Sequence, residues 1–206
     1  LPIGCDVPET IILADGDFPS HPLALEWLRQ CPYVVCCDGA ANTYIRSGRM
    51  PEAIVGDGDS LLPDIKERYA SLIHSEAEQE TNDLSKAFRF CLSQERKRIT
   101  IMGATGKRED HTIGNVSLLA DYMEQAEVSM VTDYGIFVPI REDSMFESYI
   151  GQQISVFNMN STALSAEGLA YPLSVFTNWW QGTLNEALAR HFIIRTEGKV
   201  LVFRVF

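Results

Sequence analysis

The chain has no run of 18 apolar residues, the length a membrane-spanning helix requires. Its first ten residues also lack the basic and apolar regions of a secretory signal. The expectation is a soluble, cytoplasmic protein that makes no use of a membrane. Positive charge is scarce: 17 Lys and Arg stand against 28 Asp and Glu, for a net charge of −11, and no local basic patch interrupts the balance. Phosphate neutralisation supplies most nucleic-acid affinity, so nucleic acid is not an expected partner. The five cysteines (Cys5, Cys31, Cys36, Cys37, Cys91) are odd in number, and Cys36 and Cys37 are neighbours in an apolar run, where consecutive strand side chains face opposite ways. That is no disulfide framework, and reduced, mostly buried thiols are expected. Internal repeats and low-complexity segments are absent. What is present is ordinary globular material: 46% hydrophobic and 22% charged residues over 206 positions exclude disorder, collagen and coiled coil and leave one large domain or two small ones.

Apolar runs at residues 10–14, 33–37, 53–55 and 98–103 read as strands, each ending in Asp or Gly and separated by helical stretches, as a parallel α/β sheet requires. The clearest helix covers 82–94, where Leu84, Ala87, Phe88, Cys91 and Leu92 form one apolar stripe. A second helix is predicted over 110–125, with Ile113, Val116, Ala120 and Met123 facing the sheet, and a last strand over 127–132. Beyond Tyr134 strands follow one another at 136–140, 145–150, 153–158, 189–196 and 199–206, with Glu197-Gly198 read as a hairpin turn between the last two. The expected fold is therefore α/β: an open parallel-sheet, Rossmann-like domain over 1–134, then an all-β sandwich over 135–206.

Ligands of open parallel sheets bind beyond the carboxyl ends of the strands, and the residues there are acidic. Asp38-Gly39-Ala40-Ala41-Asn42 follows the second strand, and Gly56-Asp57-Gly58-Asp59-Ser60 follows the third. Carboxylates two apart between glycines suit a hard cation such as Mg²⁺; the plainer reading is a polar Gly/Asp turn. In the segment from Gln79 to Lys86, Thr81 or Asn82 can cap a helix whose first-turn donors suit phosphate, and Asp83 and Lys86 would share its exposed side. The segment from Gly103 to His111 fails the Walker pattern, since no glycine precedes Gly106 by five residues and Arg108 stands where Ser or Thr is needed. The Gly-x-Gly-x-x-Gly dinucleotide pattern is also absent. What remains is a glycine loop presenting Lys107 and Arg108 ahead of a helix, a phosphate cradle by its chemistry. His111 and Asn115 are one turn apart on that helix, and His111 has no metal-ligand spacing with the other three histidines.

Taken together and in this order, the four segments resemble thiamine pyrophosphokinases. That family carries Asp-Gly-Gly-Ala-Asn, Gly-Asp-x-Asp-Ser, Gln-x-x-Thr-Asp-x-x-Lys and Gly-x-x-Gly-x-Arg-x-Asp-His segments; here Asn82 is inserted between Thr81 and Asp83. Fainter agreement continues at residues 168–173 and 182–186, where Leu184 replaces a frequent Ser and Trp179-Trp180 just upstream is unusual. The resemblance implies transfer of pyrophosphate from ATP to the hydroxyl of thiamine, giving thiamine diphosphate and AMP. It further implies Mg²⁺ on Asp57, Asp59 and Asp83, and a catalytic group of these three with Arg108, in which Asp59 is the preferred proton acceptor. ATP and its phosphates would meet Asp38, Asn42, Gln79, Thr81, Lys86, Gly103, Gly106, Arg108, Asp110 and His111. Thiamine, a flat aromatic cation, would meet Trp179, Trp180, Tyr171 and Asn185. A homodimer with the active site between subunits is implied as well. Two alternatives stay open: a non-catalytic nucleotide-binding regulator, and a pyrophosphokinase for another vitamin-like alcohol.

Overall fold

The computed structural model describes residues 6–76 and 80–206; Cys5 and Gln79 lie outside the described residues. The chain divides into two compact units, one holding Val7–Leu118 and Gln125–Asp133, the other holding Leu119–Glu124 and Tyr134–Phe206.

In the first unit strands and helices alternate: β1 (Ile11–Leu13), α1 (Pro22–Gln30), β2 (Val34–Cys37), α2 (Ala40–Arg46), β3 (Ala53–Val55), α3 (Pro63–Arg68), β4 (Ile73–His74), α4 (Asp83–Ser93), β5 (Arg98–Met102), α5 (Glu109–Tyr122, whose last four residues belong to the second unit) and β6 (Glu127–Val131). The six strands are all parallel, in the order β6-β5-β1-β2-β3-β4. Helical crossovers cover such a sheet on both faces, and Ile11, Ile12 and Leu13 of the central β1 are accordingly fully buried. The chain steps outward from β1 to β4, then returns to the other side of β1 with β5. A crevice opens at the carboxyl end of the strands where the order reverses.

Local chemistry sets the helix starts. Pro22 opens α1, and Asp133, just past β6, accepts from Ser20 N (2.8 Å), Ser20 Oγ (2.5 Å) and His21 N (2.9 Å), satisfying donors ahead of that helix. Asn82 caps α4, whose residues Leu84, Ala87, Phe88 and Cys91 are buried against β1, β2 and β3 as the stripe predicts. The face expected for α5 is wrong in part: Ile113 is exposed, whereas Leu119 and Tyr122 are the buried residues, because the first turns of α5 border the crevice rather than the sheet. Among the described residues the cysteines are free; Cys36, Cys37 and Cys91 are buried, and burial pushes the Cys91 thiol up to about 12.

The second unit contains β7 (Gly135–Ile140), β8 (Ser144–Glu147), β9 (Gln153–Asn158), β10 (Leu164–Glu167), β11 (Asn185–Glu186), β12 (His191–Thr196) and β13 (Val200–Val205). Antiparallel pairing gives two sheets, β11-β9-β13-β7 and β10-β12-β8, with Ile154, Val156, Val200 and Val202 of the first sharing a core with Phe146, Phe192 and Ile194 of the second. The reading of Glu197-Gly198 as a hairpin turn is overturned, because β12 and β13 do not pair. The turn instead carries the chain from one sheet to the other, which lets alternate residues of both strands face a common interior. The short strands β4, β10 and β11 were not legible as apolar runs.

Phe88 anchors α4, and with it Asp83 and Lys86, to the sheet. Replacing a buried Phe by Ala costs about 3–5 kcal/mol. Phe88→Ala is expected to lower the unfolding free energy of the parallel unit by that amount, read as a lower urea midpoint at unchanged slope by circular dichroism.

Candidate active site

At the crevice between β1 and β5 lies a cavity of about 440 Å³. Its walls are Asp15 and Gly16 after β1, Cys37 at the end of β2, Asn82 and Asp83 at the start of α4, Ala104, Gly106, Lys107 and Arg108 after β5, and His111 and Asn115 on α5. The loop after β5 needs glycine for steric reasons: Gly106 has φ +78°, and a Cβ there would stand 2.0 Å from Asp17 Oδ2. Lys107 also takes a left-handed φ of +57°, which turns its ammonium onto Asp15, with Nζ 2.8 Å from the carbonyl and 3.2 Å from Oδ1. The two cations of this loop thus have separate partners, and both line the cavity; that of Arg108 is Asp110. Asp110 holds the guanidinium in a two-point fork, Nε to Oδ1 at 3.1 Å and Nη2 to Oδ2 at 2.6 Å, and also accepts from His111 N at 2.9 Å. Asp15 was missed by sequence reasoning. Its signal was the same one used elsewhere, an Asp-Gly step closing an apolar strand.

Beside this cavity, past β2 and β3, is an acidic cluster. Asp38 is buried in a left-handed conformation (φ +34°), tolerated better by Asp than by most residues. Its Oδ2 accepts from Ser60 N at 3.2 Å, while its buried Oδ1 receives no donor. Burial raises the Asp38 carboxyl to about 6, with the negative charges of Asp57 and Asp83 adding to the push and the Ser60 N–H opposing it. Asp57 is exposed and held low, chiefly by the Asp59 N–H donating to its Oδ1 at 3.0 Å. Among the described residues no three His, Cys, Asp or Glu side chains gather closely enough to form a ligand set. The donor chemistry nevertheless fits a hard cation: hard divalent cations take carboxylate oxygens, and an unsatisfied buried carboxylate oxygen among like charges is what such an ion would neutralise.

Several expected ligands are occupied by the protein itself. Asn42 donates from Nδ2 to Ser60 O (2.8 Å) and accepts at Oδ1 from Leu62 N (3.0 Å), so its amide staples residues 60–62 to α2. Thr81 accepts at its hydroxyl from Arg89 Nη2 at 3.1 Å, and Arg89 is paired with Glu76 at 2.5 Å. The expectation that Asp83 and Lys86 share an exposed side is corrected. Lys86 is buried, 3.3 Å from the half-exposed Asp83, because every side chain of α4 from Leu84 to Phe88 is enclosed; it borders a second cavity of about 320 Å³ shared with His74, Arg89 and Phe90.

In the second unit Trp179 and Trp180 lie not on a strand but in the 3₁₀ turn Trp179–Gly182, closed by Asn178 and Gln181. Trp179 donates from Nε1 to Asn158 O at 3.3 Å and rests edge-on against Phe157; it is exposed nonetheless, though less than Trp180 and Tyr171. Leu184 is exposed with φ +63°. Asn185 is buried, accepts from Tyr171 N and Glu186 N, and donates to Tyr171 O at 2.8 Å; it is a scaffold clamp rather than a ligand contact.

Residues 24–132, more than half of the chain, match the catalytic-domain model of thiamin pyrophosphokinase, and residues 135–203 match its substrate-binding-domain model. Thiamine pyrophosphokinase 1 of Oryza sativa subsp. japonica is 30% identical over 129 residues, covering 50% of this chain and 49% of that one. Thiamine pyrophosphokinase of Bacillus subtilis (strain 168) is 34% identical over 86 residues, 40% of each chain. The matched stretch thus spans about half the length of the first of these relatives and less of the second. In fold, the chain is similar to the crystal structure of thiamine pyrophosphokinase from Bacillus subtilis (TM-score 0.79, 20% identity, 95% of this chain and 98% of that one). It is equally similar to thiamin pyrophosphokinase from Candida albicans (TM-score 0.79, 19% identity, 96% and 90%). With both domain models matched in order over an α/β unit and a two-sheet β unit, the chain belongs to the thiamin pyrophosphokinase family.

Proposed function

We propose that this protein transfers a pyrophosphoryl group from ATP to the hydroxyl of thiamine, releasing AMP and forming thiamine diphosphate. The observation that carries the reading is the placement of the sequence segments. The acidic cluster of Asp38, Asp57 and Asp83 and the glycine loop bearing Arg108 stand at the carboxyl ends of one parallel sheet. Attack of a hydroxyl on the β-phosphorus asks the protein for charge neutralisation and in-line positioning and for little covalent work. Asp57, Asp59 and Asp83 would hold Mg²⁺, with Asp38 beside them; the ion, when bound, supplies electrostatic stabilisation of the polyphosphate. Lys86 and Arg108 hold phosphate oxygens, Gly103 and Gly106 let the backbone approach them, and Asp110 and His111 brace Arg108 and the start of α5. Asp59, exposed and beside Asp57, is our choice to accept the hydroxyl proton.

In this reading residues 1–134 form the ATP- and Mg²⁺-binding catalytic domain and 135–206 the thiamine-binding domain. The aromatic faces of Trp180, Trp179 and Tyr171 receive the flat thiamine cation. A homodimer that brings these rings to the loops of a second copy, and a cytoplasmic location, belong to the same proposal. Among the described residues no helix is long and apolar enough to cross a membrane. An assay of AMP release over a panel of vitamin-like alcohols tests the function: release confined to thiamine supports it, release with another alcohol alone reassigns the acceptor, and none with any alcohol favours a binding protein.

Asp57→Asn and Asp59→Asn keep side-chain size and remove charge. Each is expected to cut turnover at saturating Mg²⁺ by at least ~100-fold with an unchanged circular dichroism spectrum. Variants within a factor of a few of the parent would refute the metal assignment. Arg108→Ala should raise the Michaelis constant for ATP and leave that for thiamine nearly unchanged, since a guanidinium fork matches phosphate oxygens; a defect confined to thiamine would place Arg108 on the acceptor side. If a ring stacks on the vitamin, thiamine should quench tryptophan fluorescence. Trp180→Ala or Trp179→Ala should then raise the thiamine constant a few-fold to about thirty-fold, the equivalent of ~0.5 to 2 kcal/mol. Should both variants keep the parental thiamine dependence, the pair is structural and Tyr171 is the next candidate.

A further inference from the structure

Asn82 uses both ends of one amide. Its Oδ1 accepts from Ser85 N at 2.9 Å, capping α4 one residue before Asp83. Its Nδ2 donates to Asn115 Oδ1 at 3.1 Å on α5, and Asn115 Nδ2 in turn donates to Ala104 O at 2.8 Å in the glycine loop after β5. The start of α4 is thereby tied to α5, 33 residues on, and through it to the loop that leads into α5, and both asparagines stand in the wall of the 440 Å³ cavity together with Asp83 and Arg108. Capping alone does not call for this residue, since Ser, Thr and Asp cap about as well. Asparagine differs in offering an acceptor and a donor on two separate atoms. A serine hydroxyl has a single oxygen for both tasks and lacks the span of the amide; an aspartate would set an acceptor against the Asn115 oxygen.

We propose that Asn82 is a positioning residue that, through Asn115, fixes the acidic start of α4 relative to the loop that presents Arg108, so that nucleotide affinity depends on the relay. This rests on the reading of the cavity as the ATP site. Loss of a neutral hydrogen bond that orients a binding wall is expected to weaken ATP binding by about three- to ten-fold. Acceptor binding, assigned to the other unit, is not expected to respond.

The test compares the parent with Asn82→Ser, Asn82→Asp, Asn115→Ala and the double variant Asn82→Ser/Asn115→Ala. Calorimetric affinity for a non-hydrolysable ATP analogue with Mg²⁺, the Michaelis constant for thiamine and the melting temperature are measured for each. Asn82→Ser and Asn82→Asp keep the cap, so their melting temperatures should stay near that of the parent while nucleotide affinity falls three- to ten-fold and the thiamine constant stays constant. Asn115→Ala should show the same loss, and the double variant should be no weaker than the weaker single, because one relay is broken only once. Parental nucleotide affinity in Asn82→Ser, or losses that multiply in the double variant, would overturn the proposal. A parent that binds the analogue but makes no AMP with thiamine would sink the functional reading alone; one that binds no nucleotide would sink both.

Discussion

A carboxylate held out of water at the end of β2, with one oxygen lacking any donor, sets how the loop after β3 lies against the end of β2. Asp38 is stabilised by a single backbone donor from Ser60 and opposed by the charges of Asp57 and Asp83. Removing a charged group from water costs several kcal/mol unless it is paired, so the neighbouring structure is committed to keeping it there. The left-handed backbone at Asp38 sets the side chain inward, and Gly56 leaves it room, since a Cβ at 56 would come within 2.9 Å of the Asp38 Cβ. The Asn42 amide then pins the 60–62 backbone that supplies the one stabilising donor. An arrangement that concentrates negative charge in this way suits a cation and a polyphosphate together, the ion offsetting the repulsion that each would otherwise feel.

Asparagine amides recur wherever regular structure stops. Asn42 holds the loop after β3, Asn82 and Asn115 tie α4 to the loop after β5, and Asn185 clamps the loop at Tyr171 in the β unit. Backbone groups in loops must find partners once the ladder ends, and a side-chain amide supplies both donors and an acceptor in the geometry of a peptide group. This explains why residues that look like ligands in the sequence can prove to be scaffold. An Asn in a glycine-rich loop satisfies the same local logic whether its partner is a phosphate or the chain itself.

Much of the fold was legible because the signals were local. The start and stop of α4 fall at Asn82 and Gln94, where capping chemistry and the apolar stripe agree, and the strands of the parallel sheet end at the Asp and Gly residues that border the site. What was not legible depends on long-range placement. Asp15-Gly16 carries the same punctuation as the loops that were singled out, but only the strand order shows that β1 is central and that its end forms a wall of the crevice. Lys86 is buried because α4 is enclosed on every side from Leu84 to Phe88, which a helical stripe cannot disclose. Glu197-Gly198 has the residues of a hairpin turn, and those residues serve equally well when the chain leaves one sheet for the other.

In the proposed function the acidic cluster binds nucleotide only in partnership with a divalent cation. Isothermal titration of the protein with ATP, once in excess Mg²⁺ and once in a chelator, tests this directly. The account predicts strong binding with the metal and at least ~100-fold weaker binding without it, because the polyphosphate would then face uncompensated carboxylates. Equal affinity in the two titrations would contradict it.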